Sequence, residues 1–170
     1  VVGHVGFADP FCSRLAGLAR DAIRDQNLPG GQIGETLVCM EGPLFSTRAE
    51  SGHHRAIGAG LINMSALPEA KLAREAELCY ATVAMVTDYD CWHPDHDAVT
   101  VDQIIAVLVA NAGNARSLVT HAAPRIIGDA AGSRCSCRRA LEHAILTTPD
   151  ARDAARVAQL DAVAGRVLGR

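Results

Sequence analysis

Strands alternating with helices predict an α/β fold built on a largely parallel sheet. Three observations carry that expectation. Thr36-Leu37-Val38-Cys39-Met40, Leu61-Ile62-Asn63-Met64 and the run from Tyr80 to Thr87 have the length and apolar content of short buried strands. Segments of helical periodicity separate them. Two runs end in polar clusters, Asn63-Met64-Ser65 and Thr87-Asp88-Tyr89-Asp90, and parallel sheets place their sites at the carboxyl ends of strands.

Each element follows from its residues. Asp9-Pro10 predicts a helix start, with Asp as N-cap and Pro at the first helical position. Phe11, Leu15, Leu18, Ala22 and Ile23 keep helical spacing, and Asn27 to Gly31 stops the helix. After the first strand, Glu41-Gly42-Pro43 is a breaker. A polar helix runs from Thr47 to about Ile57. Pro68 opens a charged helix through Leu78. The apolar run from Tyr80 to Thr87 is the strongest strand expectation. An Asp- and His-rich loop occupies Asp88 to Ala98. Thr100 with Gln103 forms a capping box, and Val101, Ile104, Ile105 and Leu108 begin a long helix. The pattern loosens after Pro124. Helices are expected over about 134–146 and 150–168, the second capped by Asp150, with Arg166 suiting its C-terminal dipole.

The chain has 170 residues, 16 basic and 19 acidic, for a net charge of −3. That balance excludes a strongly basic nucleic-acid binder. Arg24, Arg48, Arg55 and Arg74 are scattered along helical segments and form no patch in the sequence. Half the residues are hydrophobic, 49%, with 21% charged, which excludes a disordered chain. No apolar run reaches the roughly 20 residues of a membrane span. The chain starts at Val1 in an apolar stretch without Met, which suggests the interior of a longer protein.

Six cysteines are present: Cys12, Cys39, Cys79, Cys91, Cys135 and Cys137. Four stand singly, and Cys39 and Cys79 read best as small buried hydrophobes. Cys135-Ser136-Cys137 is a spaced pair but not CxxC, and no second pair lies near it in sequence, so no metal is expected. Two cysteines this close can form a strained, easily reduced disulfide. With no signal-peptide pattern, the compartment reads as reducing cytosol.

Asp88 and Asp90 are the sharpest chemical feature. Carboxylates at i and i+2 after an apolar strand can converge on one pocket. Burial and mutual repulsion would then raise the pKa of at least one and leave it able to donate a proton. Asp is equally a loop opener, and spacing alone weighs the two readings evenly. Phe45, in the block from Glu41 to Glu50, can stack a planar ligand or serve as core. Asn63-Met64-Ser65 offers donors to an anion, or is a plain strand-to-helix turn. His93 and His96 beside Asp95 and Asp97 have some of the spacing of a metal site. Pro94 forbids a clean helix there, so a solvated loop is the better reading. No GxSxG, P-loop or dinucleotide fingerprint occurs.

Four blocks together carry a resemblance. They are His4-Val5-Gly6-Phe7-Ala8-Asp9-Pro10-Phe11-Cys12, Met40-Glu41-Gly42-Pro43-Leu44-Phe45-Ser46-Thr47-Arg48-Ala49-Glu50-Ser51, Gly60-Leu61-Ile62-Asn63-Met64-Ser65-Ala66-Leu67-Pro68-Glu69, and Ala84-Met85-Val86-Thr87-Asp88-Tyr89-Asp90-Cys91-Trp92. They resemble the methylthioadenosine phosphorylases of the trimeric purine nucleoside phosphorylase family, from His4 to about Leu118. The resemblance implies a nucleoside phosphorylase-like α/β fold with a mixed central sheet flanked by helices. It also implies phosphorolysis of methylthioadenosine to adenine and methylthioribose 1-phosphate, with phosphate as co-substrate and no further cofactor.

In that reaction negative charge builds on the departing purine, and a placed acid stabilises it. Asp88 matches the family acid at the five-membered ring. Asp90 matches the acceptor of adenine's exocyclic amine. Relatives preferring 6-oxopurines carry Asn at the matching aspartate position, so the pair favours adenine. Phe45 and Ser46 would line the base beside Thr87. Met64 would face the ribose next to Asn63, and Ser65 would hold phosphate. Val101, Ile104 and Ile105 would form an apolar pocket for the methylthio group. His4 matches a residue that reaches a neighbouring subunit's site, which implies a homo-oligomer, a trimer or a hexamer made of two trimers.

The family's first phosphate loop, Arg-His pair and first strands have no counterpart in these 170 residues. The chain therefore reads as the C-terminal part of a single phosphorylase domain, with a helical tail from about 129 to 170, and is expected to be inactive alone. Its Cys135-Ser136-Cys137 resembles the CxC pair of a hexameric microbial subgroup. A purine nucleoside phosphorylase acting on adenosine or inosine is the alternative enzyme. An assembly half-domain without activity is the alternative of another class.

Overall fold

The computed structural model describes residues 1–31, 34–93 and 101–169. The element order is α1 (Ser13–Asp25), β1 (Thr36–Cys39), α2 (Arg48–Ala56), β2 (Ala59–Asn63), α3 (Ala66–Glu75), α4 (Val101–Gly128), three short 3-10 turns, α5 (Ala154–Gln159) and α6 (Asp161–Leu168). Two compact units form. One takes Val1–Leu15, Leu67–Ala81 and Asp129–Arg170, the other Ala16–Ala66 and Thr82–Gly128. Among the described residues no helix is long and apolar enough to cross a membrane.

The second unit is built on a βαβ motif. β1 and β2 pair in parallel, with Leu37 opposite Leu61, Val38 opposite Ile62 and Cys39 opposite Asn63. Parallel strands need a crossover, and α2 supplies it. Thr47 caps α2 in a reciprocal box, its side chain accepting from the Glu50 N–H while Glu50 reaches back to the Thr47 N–H. A register shift follows Thr36, leaving Gly60 as the extra residue of a bulge. A Cβ at Gly60 would collide with the Glu35 carboxylate, so glycine suits the bulge.

The core of this unit joins two helices. Leu118 and Ala122 recur every four residues on α4, and with Ile126 they pack on Ala22 and Ile23 of α1, with Leu28 and Met85 alongside. Asn27, at φ 51, ends α1. Its N–H donates to the Arg24 carbonyl at 3.0 Å, and the Leu28 N–H donates to the Ile23 carbonyl at 3.1 Å. This is a Schellman cap, and Asn tolerates the left-handed conformation it needs. The expected stop at Asn27 is therefore found.

In the first unit, Leu141, Ala144, Ala164 and Leu168 form the core, flanked by Val5, Ile145, Val157 and Val167. The N-terminal segment is laced to it. The His4 N–H donates to the Ala144 carbonyl, and the Leu146 N–H to the Val2 carbonyl, each at 2.9 Å. Arg152 closes the end of α6 by donating to the Leu168 carbonyl at 2.8 Å.

Glu77 ties several segments of this unit together. It takes φ 55 just past α3, where its N–H and that of Leu78 donate to Arg74 and Ala73 carbonyls. A Glu in the left-handed region is unfavourable. Its carboxylate offsets the cost, accepting two bonds from Arg166 at 2.6 Å and one from the Leu141 N–H at 3.0 Å. The Arg166 bonds outweigh burial and, with the Leu141 N–H, hold this carboxyl below the usual carboxylate range. Glu77→Gln is expected to destabilise the protein by about 1.5–3 kcal/mol at neutral pH. A depressed carboxylate stabilises above its unfolded pKa, about 4.3, and loses that as pH falls. The gap between wild type and variant in thermal melts should therefore close on acidification, and a gap independent of pH would count against this role.

Several expectations are corrected. Residues 80–87 form no strand: among the described residues no ladder partner meets them, and apolar composition cannot supply one. α1 starts at Ser13 rather than at Asp9-Pro10. Arg74 donates to the carbonyls of Gly6 and Asp9, and the Cys12 N–H to the Tyr80 carbonyl, so this segment is pinned outside the helix. α4 continues through Pro124 to Gly128. Pro124 removes one helical hydrogen bond, but Ala122 and Ile126 on either side are held in the core. The helix expected over about 134–146 is replaced by a 3-10 turn at Ser136–Arg139, whereas the one expected over 150–168 is found as α5 and α6 after a 3-10 turn at Pro149–Ala151. The cap of α5 is Asp153, not Asp150, accepting from the Arg156 N–H at 2.8 Å.

Candidate active site

The parallel pairing puts the carboxyl ends of β1 and β2 at the same edge of the sheet, where sites form in such folds. The chain leaves β1 through Met40 to Phe45 and leaves β2 through Met64 and Ser65. The Met40 N–H donates to the Asn63 carbonyl at 2.9 Å, which ties the two exits together. Met64 lies against Gly42, which has φ +66, and a Cβ there would run into the Met64 Cε. Gly42→Ala is expected to cost about 1–2 kcal/mol in strain and to push Met64 aside. Thermal melts read the strain, and a variant as stable as wild type would contradict it.

The loop from Thr87 to His93 docks on the same region. Arg48 and Arg55 stand seven residues apart on α2 and so share a face. Arg48 donates to the Cys91 carbonyl at 2.9 Å, and the Arg55 guanidinium lies 3.8 Å from the centre of the Trp92 ring. Tyr89 stacks on His93 at 4.5 Å and meets Trp92 edge-on. The Cys91 thiol donates to the Ser46 carbonyl at 3.6 Å, and the Ser46 hydroxyl to Met40 sulfur at 3.6 Å. These contacts were invisible in the sequence, where the two arginines looked scattered. Their seven-residue spacing was the available signal.

The structure thus brings Ser46, Asn63, Met64 and the Asp90-Cys91 turn into one network. Phe45 is 82% exposed, which removes the core reading and leaves its ring open to a ligand. The Asn63 Oδ1 is buried with no hydrogen-bond partner among the described residues. A buried acceptor without a donor costs about 1–3 kcal/mol. Ser65 is exposed beside it.

The two aspartates differ from expectation. Asp88 is exposed rather than buried, and its carboxylate accepts from the Thr87 hydroxyl at 3.0 Å. Asp90 is half-buried, and one of its oxygens accepts from the Cys91 N–H at 2.8 Å, while its carbonyl accepts from the His93 N–H. Asp90 therefore also builds the turn.

Ile105 is 52% exposed near the start of α4. The side chains of Val101 and Ile104, the capping residue Thr100, and His96 with Asp95 and Asp97 lie outside the described residues. His4 belongs to the other unit and is exposed, its backbone bonded to Ala144.

No metal was expected because no second cysteine pair lies near Cys135-Ser136-Cys137 in sequence, but in space two more cysteines do. Cys12, Cys79, Cys135 and Cys137 bring their four sulfurs within 4.8 Å of one another. Sequence distance hid this, because Cys12 and Cys79 seemed isolated. The Cys12 N–H donates to the carbonyl of Tyr80 at 2.7 Å, which draws Cys12 up to Cys79. Burial pushes the Cys135 thiol up, but the Cys137 N–H, Cys79, Arg14 and Cys12 together bring it down to about 6. Burial and then Cys135 push the Cys137 thiol up to about 12.

A βαβ unit with a carboxylate-bearing, aromatic-lined turn at its strand ends is a small-molecule site of the α/β class. The family model described as the phosphorylase superfamily matches residues 2–124, and the chain belongs to that superfamily, with its α/β fold. The S-methyl-5'-thioadenosine phosphorylase of Koribacter versatilis (strain Ellin345) is 53% identical over 169 residues, 99% of this chain and 56% of that protein. That of Thermosynechococcus vestitus (strain NIES-2133 / IAM M-273 / BP-1) is 49% identical over 170 residues, 99% of this chain and 58% of that protein. Among solved structures, a methylthioadenosine phosphorylase from an antarctic soil metagenomic library matches with TM-score 0.87 and 41% identity, covering 95% of this chain and 56% of that one. The methylthioadenosine phosphorylase from Schistosoma mansoni in complex with adenine matches with TM-score 0.71 and 32% identity, covering 82% of this chain and 54% of that one. The chain thus spans 56% and 58% of the length of these two curated relatives.

Proposed function

We propose that this chain carries the purine and sugar pockets of a methylthioadenosine phosphorylase. The carrying observation is the Asp88–Asp90 turn held against Ser46 by Cys91 and Arg48, next to an exposed Phe45.

Phosphate attacks the anomeric carbon as the bond to the purine breaks, and the purine takes the electron pair. Asp88 stands at the five-membered ring as the acid that stabilises this charge. Its exposed carboxyl is open to a ligand. Asp90 has one oxygen committed to Cys91, and its carboxylate accepts from adenine's exocyclic amine. Phe45 stacks on the base with Ser46 and Thr87 around it. Met64 faces the ribose, and a sugar hydroxyl satisfies the orphan Asn63 Oδ1. Ser65 donates to phosphate, which is the co-substrate and the sole addition needed. Ile105 faces the methylthio group. The protein works as a cytoplasmic homo-oligomer in which His4 serves a neighbour's site.

The test joins this chain to the part of the Koribacter protein that the match leaves uncovered. The chimera is expected to release adenine from methylthioadenosine only with phosphate present, and faster than it releases base from adenosine or inosine. Preference for inosine would replace this reading with a 6-oxopurine phosphorylase. A folded chimera without phosphorolysis would leave an assembly module.

A further inference from the structure

We propose that Cys12, Cys79, Cys135 and Cys137 form a tetrathiolate site for one zinc ion, which staples three segments of their unit together. Zinc bound by four thiolates is tetrahedral with Zn–S near 2.3 Å, so its sulfurs stand about 3.8 Å apart. Here all four sulfurs lie within 4.8 Å of one another, and Cys12 and Cys135 are 3.7 Å apart. All four are free thiols, Cys12 and Cys137 buried and the other two half-buried. Four soft donors at tetrahedral spacing, with no carboxylate or imidazole in the group, select zinc over hard cations. Sulfurs this close share one metal and leave no room for a cluster of several irons.

The surroundings match such a centre. Four thiolates around a divalent ion carry a net charge of −2, which a buried site must balance. Arg14 provides a guanidinium, donating to the Cys79 sulfur at 3.5 Å while its other arm is anchored by Asp129. The Cys137 N–H points to the Cys135 sulfur. Donors of this kind orient metal-bound thiolates. The ligands come from the segment before α1, the segment after α3 and the 3-10 turn Ser136–Arg139 with its cap Cys135. These pieces lie far apart in sequence, so one ion binding all three cross-links them. On binding, the thiol protons leave to solvent and no electron is transferred.

The test uses the purified protein kept reduced and anaerobic. One zinc per chain is expected by elemental analysis, retained through gel filtration with EDTA. The metal-free protein titrated with Co2+ is expected to show the intense visible bands and thiolate-to-cobalt charge transfer of a tetrahedral tetrathiolate site, abolished by one equivalent of Zn2+. Cys79→Ser is expected to weaken Co2+ binding by about a hundredfold, whereas Cys39→Ser, outside the cluster, leaves the spectrum unchanged. The wild-type titration decides even where Cys79→Ser fails to fold, which circular dichroism reports. Four titratable thiols with no stoichiometric uptake of zinc or cobalt would overturn the proposal. So would a six-coordinate cobalt spectrum, iron in place of zinc in the purified protein, or disulfides that persist under reductant.

Discussion

Asp88→Ala is expected to lower turnover of methylthioadenosine by on the order of a hundred- to ten-thousandfold in the complemented enzyme. The charge that Asp88 meets exists on the purine only as the glycosidic bond breaks. KM should therefore move little while kcat and kcat/KM fall together. The folded state should be unaffected, since Asp88 is exposed and accepts from the neighbouring Thr87 hydroxyl. Steady-state kinetics and a thermal melt separate these effects. An unchanged kcat would remove Asp88 from the acid role, and a collapsed melt would make it structural.

Asp90→Asn is expected to change which purine is preferred. The Asn carbonyl can keep the bond now made to the Cys91 N–H at 2.8 Å, so the turn survives. The other position changes from acceptor to donor. It then faces the amine of adenine with another donor, and suits the carbonyl of a 6-oxopurine. A lost charge-assisted bond of roughly 1.5–3 kcal/mol corresponds to about a ten- to hundredfold fall in kcat/KM for 6-aminopurine nucleosides. Activity on inosine should rise. Paired kinetics with adenosine and inosine check this, and an unaltered ratio would assign Asp90 to the turn alone.

Parts of the fold were legible because their causes are local. The polar helix expected from Thr47 to about Ile57 is found as α2, Arg48–Ala56. Asn27 ends α1 through its own backbone preference. The segments of β1 and β2 stood out as apolar runs between breakers. The run from Tyr80 to Thr87 shows the limit of that reasoning. It has a strand's composition, but a strand needs a neighbour, and composition is silent about neighbours. The tail shows another limit. A helix was expected over about 134–146, whereas a 3-10 turn at Ser136–Arg139 stands there, with Cys135 and Cys137 beside Cys12 and Cys79.

The candidate site divides in the same way. The residue types of the proposed base pocket, Phe45, Ser46, Asp88 and Asp90, were readable because their blocks are contiguous. How they are held was not. Arg48 on Cys91, Arg55 on Trp92 and the orphaned Asn63 oxygen each depend on elements meeting in space.

The sequence by itself determined the α/β class, the segments of α2, β1 and β2, the end of α1 and the family blocks. Those features rest on patterns among residues close to one another along the chain. Only the tertiary structure decided that Asp88 is exposed, that two arginines of α2 seat the aspartate turn, and that cysteines at 12, 79, 135 and 137 converge. Each of these depends on the packing of segments distant in sequence, and the spacing of residues along a chain carries no record of which distant segment packing will bring beside them.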